Sequence, residues 1–506
     1  MQWKKARIGT FFFLAAILLA VAGCRPKPAS LDISPSPRQG QRLTIVCPTA
    51  ETMRLLQVHA TPWALRQGIA LDLHEYDPSH PKDGSGGKHF AEADAIVFSP
   101  ADLPHGVVSG QLLPLPETYR TEDRSLAWND LLPSLREQLL LWEGKPYALP
   151  LVGESPLCCY RSDWVQAPTH RDALQKAFGS AFDGPRTWEQ FVRLAEYFHE
   201  RGIDGRPGPS LPPLPKDDAE LDRLFYTIAA CYARRAVPAG EAHRADREND
   251  LFAFHYDVET GLPRIASPGF VHALKLLQRM QACRPNGSAE HPQEAFQSGR
   301  AVLCLTDSPW LKRFQKTPAL RDKVGVCPLP AGDRYYDFVT GKPQLKPEGN
   351  RVSYLGGAGW LMGVARSSPH PELAFQLIAE LASPKTSTQI FLGAENVGGP
   401  TRADPLYRSR WDEFDLDDKR EPRLREALQE TLRCSNLKNP AICLRTPGQA
   451  SHRTILVAAL RKALSEAADA ERTLQTVADA WKKRDEEQGM QVHRIDYRRS
   501  VGLLAK

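Results

Sequence analysis

The sequence predicts an α/β fold with a mostly parallel sheet. Three observations lead there. Short apolar runs at 43–47, 69–76 and 93–98 have the length and composition of strands buried on both faces. An amphipathic stretch over 51–67 separates the first two runs. Strand, helix, strand and strand in that order imply right-handed crossovers, and so parallel neighbours. The 506 residues are 42% hydrophobic and 25% charged, a normal globular balance with length for two large domains or about three smaller ones.

Each element has a local reason. In 51–67 the apolar positions Met53, Leu56, Ala60 and Ala64 fall on one helical face, and Pro62 is expected to kink or break the helix. The Gly/Ser/Pro-rich segment 77–88 is a loop by composition. Thr187 with Gln190 three residues later has capping-box spacing. Segment 205–217 is a Pro-rich loop. Helical faces recur at 271–282, 372–382 and 451–484, and Pro371 suits a first helical turn. Strand-like runs return at 301–305 and 325–327, and the adjacent Cys158 and Cys159 are expected on alternate faces of a strand. There is no repeat at solenoid periods.

The first 24 residues read as an address. Lys4, Lys5 and Arg7 precede an apolar run from Phe11 to Ala22, too short to span a bilayer as a helix. Val21-Ala22-Gly23-Cys24 looks like a lipobox, in which the Cys24 thiol takes the lipid. Residues 1–23 are thus expected to be a lipoprotein signal peptide, and 24–42 a flexible tether rich in Pro and Ser. The expected location is the cell envelope, on the periplasmic or extracytoplasmic face. The formal net charge of +5 falls close to neutral without the leader, so the composition supports no nucleic-acid partner. Ten cysteines less Cys24 leave an odd number; Cys434 and Cys443 flank a polar loop and could form a local disulfide.

Catalytic motifs fail one by one. The glycine-rich run 84–87 is followed by Lys88 and then by His89, where a phosphate loop needs Ser or Thr. Asp415, Asp417 and Glu426 have calcium-loop spacing, but Lys419 and Arg420 occupy a ligand position and the glycine position. Ser435 and Lys438 form an SxxK with no partner motif. No cofactor and no metal site is expected.

Several segments, in order, resemble the family-1 extracellular solute-binding proteins, the binding components of ABC importers. The resemblance rests on 93–111 (a strand, loop and helix), on Lys145-Pro146-Tyr147-Ala148-Leu149-Pro150, and on 154–163. It continues through Pro185-Arg186-Thr187-Trp188-Glu189-Gln190, Phe296-Gln297-Ser298-Gly299-Arg300-Ala301 and Asp307-Ser308-Pro309-Trp310. Val324-Gly325-Val326-Cys327-Pro328-Leu329-Pro330, Gly356-Gly357-Ala358-Gly359-Trp360 and 368–374 complete it. Asp307 departs from the usual small residue, and 205–250 and 410–450 match poorly. The resemblance implies a two-lobed periplasmic-binding-protein-like (type II) fold with a hinge and an interlobe cleft. By analogy lobe 1 is 43–150 with 304–364, lobe 2 is 154–300 with 366–485, and 486–506 is a tail.

Ligands of such sheets lie beyond the carboxyl ends of strands. That rule places Thr49, Glu51, Ser99, Asp102, Asp307, Trp310, Gly356, Gly357 and Trp360 at the cleft, and the resemblance adds Glu154 and Ser155, where the chain first reaches the hinge, and Arg402, after a turn near the cleft. Carboxylates suit sugar hydroxyls and aromatic faces suit a pyranose ring. The same residues admit structural roles: Asp102 as a helix cap, Trp310 and Trp360 as core, the glycines as backbone packing, and Glu154 and Asp307 as hinge hydrogen-bonders. The implied function is a monomeric, membrane-tethered receptor that captures a small solute, a sugar or oligosaccharide, for ABC permease subunits. The alternatives are an exported carboxylate-based hydrolase and a ligand sensor for a membrane partner.

Overall fold

The computed structural model describes residues 40–76, 92–179, 182–202, 205–237, 248–287, 290–403, 420–435 and 439–503. The leader, Cys24 and most of the tether lie outside these residues, as do the glycine-rich run 84–87 and Asp415 and Asp417.

β1 (Arg42–Cys47), α1 (Ala50–Gln67), β2 (Ala70–Glu75) and β3 (Ala95–Phe98) follow in order. β1 pairs in parallel with both β2 and β3, so the expected parallel unit forms. Thr49 starts α1 by exchange with Thr52: each hydroxyl accepts the other's backbone N–H, at 3.1 and 3.2 Å. The helix continues through Pro62 to Gly68, whose φ of +70° ends it. Burial of Leu55, Leu56 and Trp63 against the sheet outweighs the single hydrogen bond that proline removes.

β4 (Leu149–Val152) precedes β5 (Leu157–Arg161), and the helices α2 (Trp188–Arg201), α3 (Asp218–Ala233) and α4 (Pro268–Ala282) follow. Next come β6 (Leu303–Thr306), α5 (Ser308–Lys316), β7 (Val324–Pro328), β8 (Tyr354–Leu355) and β9 (Trp360–Val364). The chain ends with α6 (Pro371–Ala382), α7 (Pro384–Leu392), α8 (Arg420–Ser435), β10 (Ala441–Ile442), α9 (Gln449–Ser465), α10 (Ala470–Gln488) and α11 (Met490–Ser500).

Two sheets organise two lobes. The first has the order β2-β1-β3-β9-β4, with β9 antiparallel to both neighbours. The second has the order β6-β5-β7 and is wholly antiparallel, so the expectation of a mostly parallel sheet holds only for β1 to β3. The lobe boundaries differ too. β6 and β7 pair with β5, which places them with the second lobe, whereas α6 packs on α1, β4 and β9 in the first. A buried apolar run reads the same in either sheet, and composition does not say which partner it finds. The 451–484 stretch is two helices, broken where Ala467 takes φ +49° and Asp469 caps α10. The expected tail is a structural helix: the buried Tyr497 hydroxyl accepts from Phe254 N–H and donates to Phe252 O.

Cys158 and Cys159 do face opposite ways, one into each hydrophobic core. Thr187 caps α2, but Gln190 Oε1 reaches Arg186 N–H rather than closing the box on Thr187.

The lobes meet where chain segments cross. Gly153 and Gly399 exchange two backbone hydrogen bonds at 2.9 and 2.7 Å. A Cβ on Gly399 would lie 2.3 Å from Glu154 backbone atoms, so only glycine fits. Gly399→Ala is expected to lower unfolding stability by about 1–3 kcal/mol, the usual cost of forced overpacking, in a urea titration. An unchanged midpoint would mean that the crossing yields freely.

Candidate functional site

Two neighbouring cavities lie beside the crossing, with Tyr354 and the glycine loop after it between them. The larger holds about 130 Å³ of internal space. At about 10–15 Å³ per water that is room for on the order of ten waters. Its walls come from the second lobe and the crossing: Pro212, Glu220, Arg223, Gln293, Asp307 and Tyr354 represent the segments involved, with Glu154 at the edge. Much of the remaining lining is proline and leucine.

The sequence builds this cavity locally. Asp217 caps α3 by accepting Glu220 N–H at 2.9 Å, which sets Glu220 and Arg223 in the first turns. The Pro-rich 205–217 loop forms one wall, held by the buried Arg284, which donates to the Pro212 and Pro213 carbonyls at 2.5 and 3.1 Å. Asp307 precedes α5 and makes no capping bond. Its Oδ1 is buried without a partner, as are Gln293 Oε1 and Thr306 Oγ1, and all three residues line the cavity. Burial pushes the Asp307 carboxyl above its ordinary range, and the Arg223 cation opposes that shift.

Glu154 sits between the lobes. Its Oε1 accepts Gly356 N–H at 2.6 Å and Ala358 N–H at 3.3 Å, so it holds the loop that separates the cavities. Burial raises its pKa to about 7, against the pull of Arg223 and the two backbone donors. The sign for stability follows. Between the ordinary value of 4.5 and about 7 the unfolded chain has released this proton while the folded chain keeps it, so stability falls as pH rises through that window. Asp222, raised to about 7 by burial, adds a fall of the same sign. Glu154→Gln is expected to flatten part of this decline in unfolding measured at pH 5 and pH 7.5. An unaltered slope would assign the decline elsewhere.

The smaller cavity, about 50 Å³, is lined by Ser99 from the first lobe, Asp222, Gln449 and Arg453 from the second, and Gly356 and Gly357 between them. Asp102 is half-buried and accepts from Gln449 Nε2 at 3.2 Å, a contact from lobe to lobe. Its carboxyl is pushed up by burial and drawn down by Arg453.

The expected site residues therefore divide. Glu154 and Asp307 line the larger cavity, Ser99, Gly356 and Gly357 the smaller, and Asp102 bridges the lobes beside it. The others lie elsewhere. Thr49 is occupied in its helix cap, and the exposed Glu51 pairs with Arg54 at 3.2 Å. Ser155 is sealed against Ser308, hydroxyl to hydroxyl at 2.8 Å. Trp310 stacks on His291, with centroids 5.5 Å apart, and Trp360 packs against the first core. Arg402 is 1% exposed and donates to three backbone carbonyls, so it is a structural residue and not a cleft residue. Cys443 is buried against Gly356, while the side chain of its expected disulfide partner, Cys434, lies outside the described residues.

Sequence reasoning missed Glu220, Arg223, Tyr354, Gln449 and Arg453. For Glu220 and Arg223 a signal existed: charged residues opening an otherwise apolar helix directly after a Pro-rich loop. Among the described residues no group of three or more His, Cys, Asp or Glu side chains is placed to hold a metal, and no helix is long and apolar enough to cross a membrane.

The whole architecture has solved counterparts. MalE3 of T. maritima with maltose bound superposes with a TM-score of 0.62 at 18% identity, over 88% of this chain and 99% of that one. An ABC transporter solute-binding protein of Agrobacterium radiobacter K84 in complex with ribitol gives 0.62 at 19%, over 88% and 100%. The substrate-binding protein Lmo0181 of Listeria monocytogenes in complex with cycloalternan gives 0.60 at 16%, over 89% and 99%. The fold is that of the extracellular solute-binding proteins. No family model matches the chain, and no curated protein matches it in sequence. The larger cavity begins next to the crossing at Gly153 and Gly399, with Glu154 in its lining.

Proposed function

We propose that this chain is a receptor that captures a carbohydrate or polyol between its lobes and delivers it, unaltered, to ABC permease subunits. One observation carries the reading. Asp307, Gln293 and Thr306 line one cavity, and each has a buried oxygen (Oδ1, Oε1 and Oγ1) that meets no partner among the described residues. Leaving such groups unmet is costly, and a molecule rich in hydroxyl donors would satisfy several at once. The solved counterparts with maltose, ribitol and cycloalternan support the same ligand class. Tyr354, stacked on Tyr226 at 5.2 Å, offers the cavity an aromatic edge. The lipobox at 21–24 supports export and anchoring through Cys24, with the chain working as a tethered monomer at the envelope.

Thermal-shift screening tests the proposal. Sugars, polyols and oligosaccharides are run beside amino acids and peptides. A solute at 100 times its Kd adds about 2.7 kcal/mol to the native state, which is readily visible as a higher Tm. A rise confined to the hydroxyl-rich compounds is the expected result. A rise confined to amino acids or peptides, or turnover of a glycoside without stabilisation, would overturn it.

A further inference from the structure

Four cysteines stand in register on the second sheet. Cys158 of β5 lies opposite Cys327 of β7, and Cys159 of β5 lies opposite Cys304 of β6. Successive strand residues face opposite sides, so the two pairs occupy opposite faces of β5. Ser162 N–H donates to Lys323 O. Stepping along the ladder in twos makes Cys158 and Cys327 a hydrogen-bonded pair as well. Opposed Cα atoms in such a pair sit about 5.5 Å apart, inside the roughly 4.4–6.8 Å that a disulfide bridges, and closing the bond draws the Cβ atoms in from about 5.5 Å to about 4 Å. Cys327 Sγ lies 3.6 Å from Cys158 O, on the same side of the sheet.

Access separates the two pairs. Cys158, Cys159 and Cys304 are all 0% exposed, so the Cys159–Cys304 pair has no member that an external reagent meets, whereas the Cys158–Cys327 pair has one. Cys327 is only half-buried, and the glycine at 184 leaves its sulfur space: a Cβ there would lie 2.8 Å from Sγ.

We propose that Cys158 and Cys327 form a cross-strand disulfide when the folded chain meets a small-molecule disulfide. The Cys327 thiolate attacks one sulfur of that oxidant; its S–S bond breaks and one thiolate leaves. Cys158 then attacks Cys327 Sγ, and its proton passes to the departing sulfur, which leaves as the second thiol. Two protein thiols are oxidised and one external disulfide is reduced to two thiols. Cys159 and Cys304 stay reduced because nothing reaches them. The bond would tie β7 to β5 just before Leu329 and Pro330, which line the larger cavity.

The test uses the full chain and oxidised glutathione. Free thiols are blocked with iodoacetamide under native conditions, and again after denaturation with a labelled reagent. Peptide mass spectrometry is expected to find a species joining Cys158 to Cys327, lighter by two hydrogens, with Cys159 and Cys304 carrying only the second label. Cys327→Ser should abolish the cross-link, and a chain with Cys159→Ala and Cys304→Ala should keep it. A glutathione adduct that persists on Cys327, a different pairing, or no reaction of the folded chain would each overturn the proposal. Fragmentation between Cys158 and Cys159 makes the assignment in the unsubstituted chain, whether or not the variants fold.

Discussion

Arg402→Ala is expected to lower the unfolding free energy by about 3–5 kcal/mol, because it strips a charged donor from three carbonyls at once. The guanidinium is 1% exposed. It donates to Leu126 O at 2.5 Å, to Ala382 O at 2.7 Å and to Ala127 O at 2.8 Å, which ties α6 to the 126–127 segment. Burial lowers its pKa to about 10, so it stays a cation at neutral pH. Truncation leaves three carbonyls that water reaches poorly, each costing about 1–3 kcal/mol if unmet, and partial relaxation recovers some of that sum. Arg402→Lys should recover little, because one ammonium lacks the fork that serves three acceptors. Solute affinity should not move, since Arg402 lines neither cavity. Stable protein with weakened solute binding would put Arg402 back in the cleft.

Asp307→Ala has the opposite profile. Affinity for the solute found by screening is expected to fall about 10–100-fold, the equivalent of about 1.4–2.8 kcal/mol and typical of a lost hydrogen bond to a charged group. Stability should change little, because its buried Oδ1 meets no partner among the described residues and the loss of that cost offsets the loss of the Trp310 backbone contact. Asp307→Asn keeps an acceptor of similar shape and should lose less. Isothermal titration reads the Kd, and a urea titration on the same samples reads stability. Equal Kd values for wild type and Asp307→Ala would remove this residue from the proposed contact set.

Much of the fold was legible because local signals were strong. The one-sided apolar spacing of Met53, Leu56, Ala60 and Ala64 marked α1, and the apolar 43–47 run marked β1. Pairing was less legible. The runs around 303 and 324 showed strand composition, yet whether they joined β5 or β3 depended on long-range contacts that composition does not encode. The site divided along the same line. Glu154 and Asp307 followed from their places at strand ends. Trp310 stands outside both cavities because a tryptophan at a strand end serves a ring of the protein's own, His291, as well as it would serve a sugar. Arg402 was misread because a cation after a glycine turn looks alike whether it meets solvent or three carbonyls. Glu220 and Arg223 carried a signal, charges opening an apolar helix after a Pro-rich loop, but that pattern did not say which cavity α3 would turn them toward.

The lining of the larger cavity belongs almost wholly to one half of the molecule, with only Glu154 and Pro156 at the seam. A guest settled there would travel with that half as the two swing apart. Under the proposed function, docking can thus come first and shutting afterwards, with the Asp102–Gln449 contact beside the smaller cavity joining the halves once they meet. Parting the halves would then uncover the guest without dislodging it, and its departure would need a second push delivered at α3 or the Pro-rich wall.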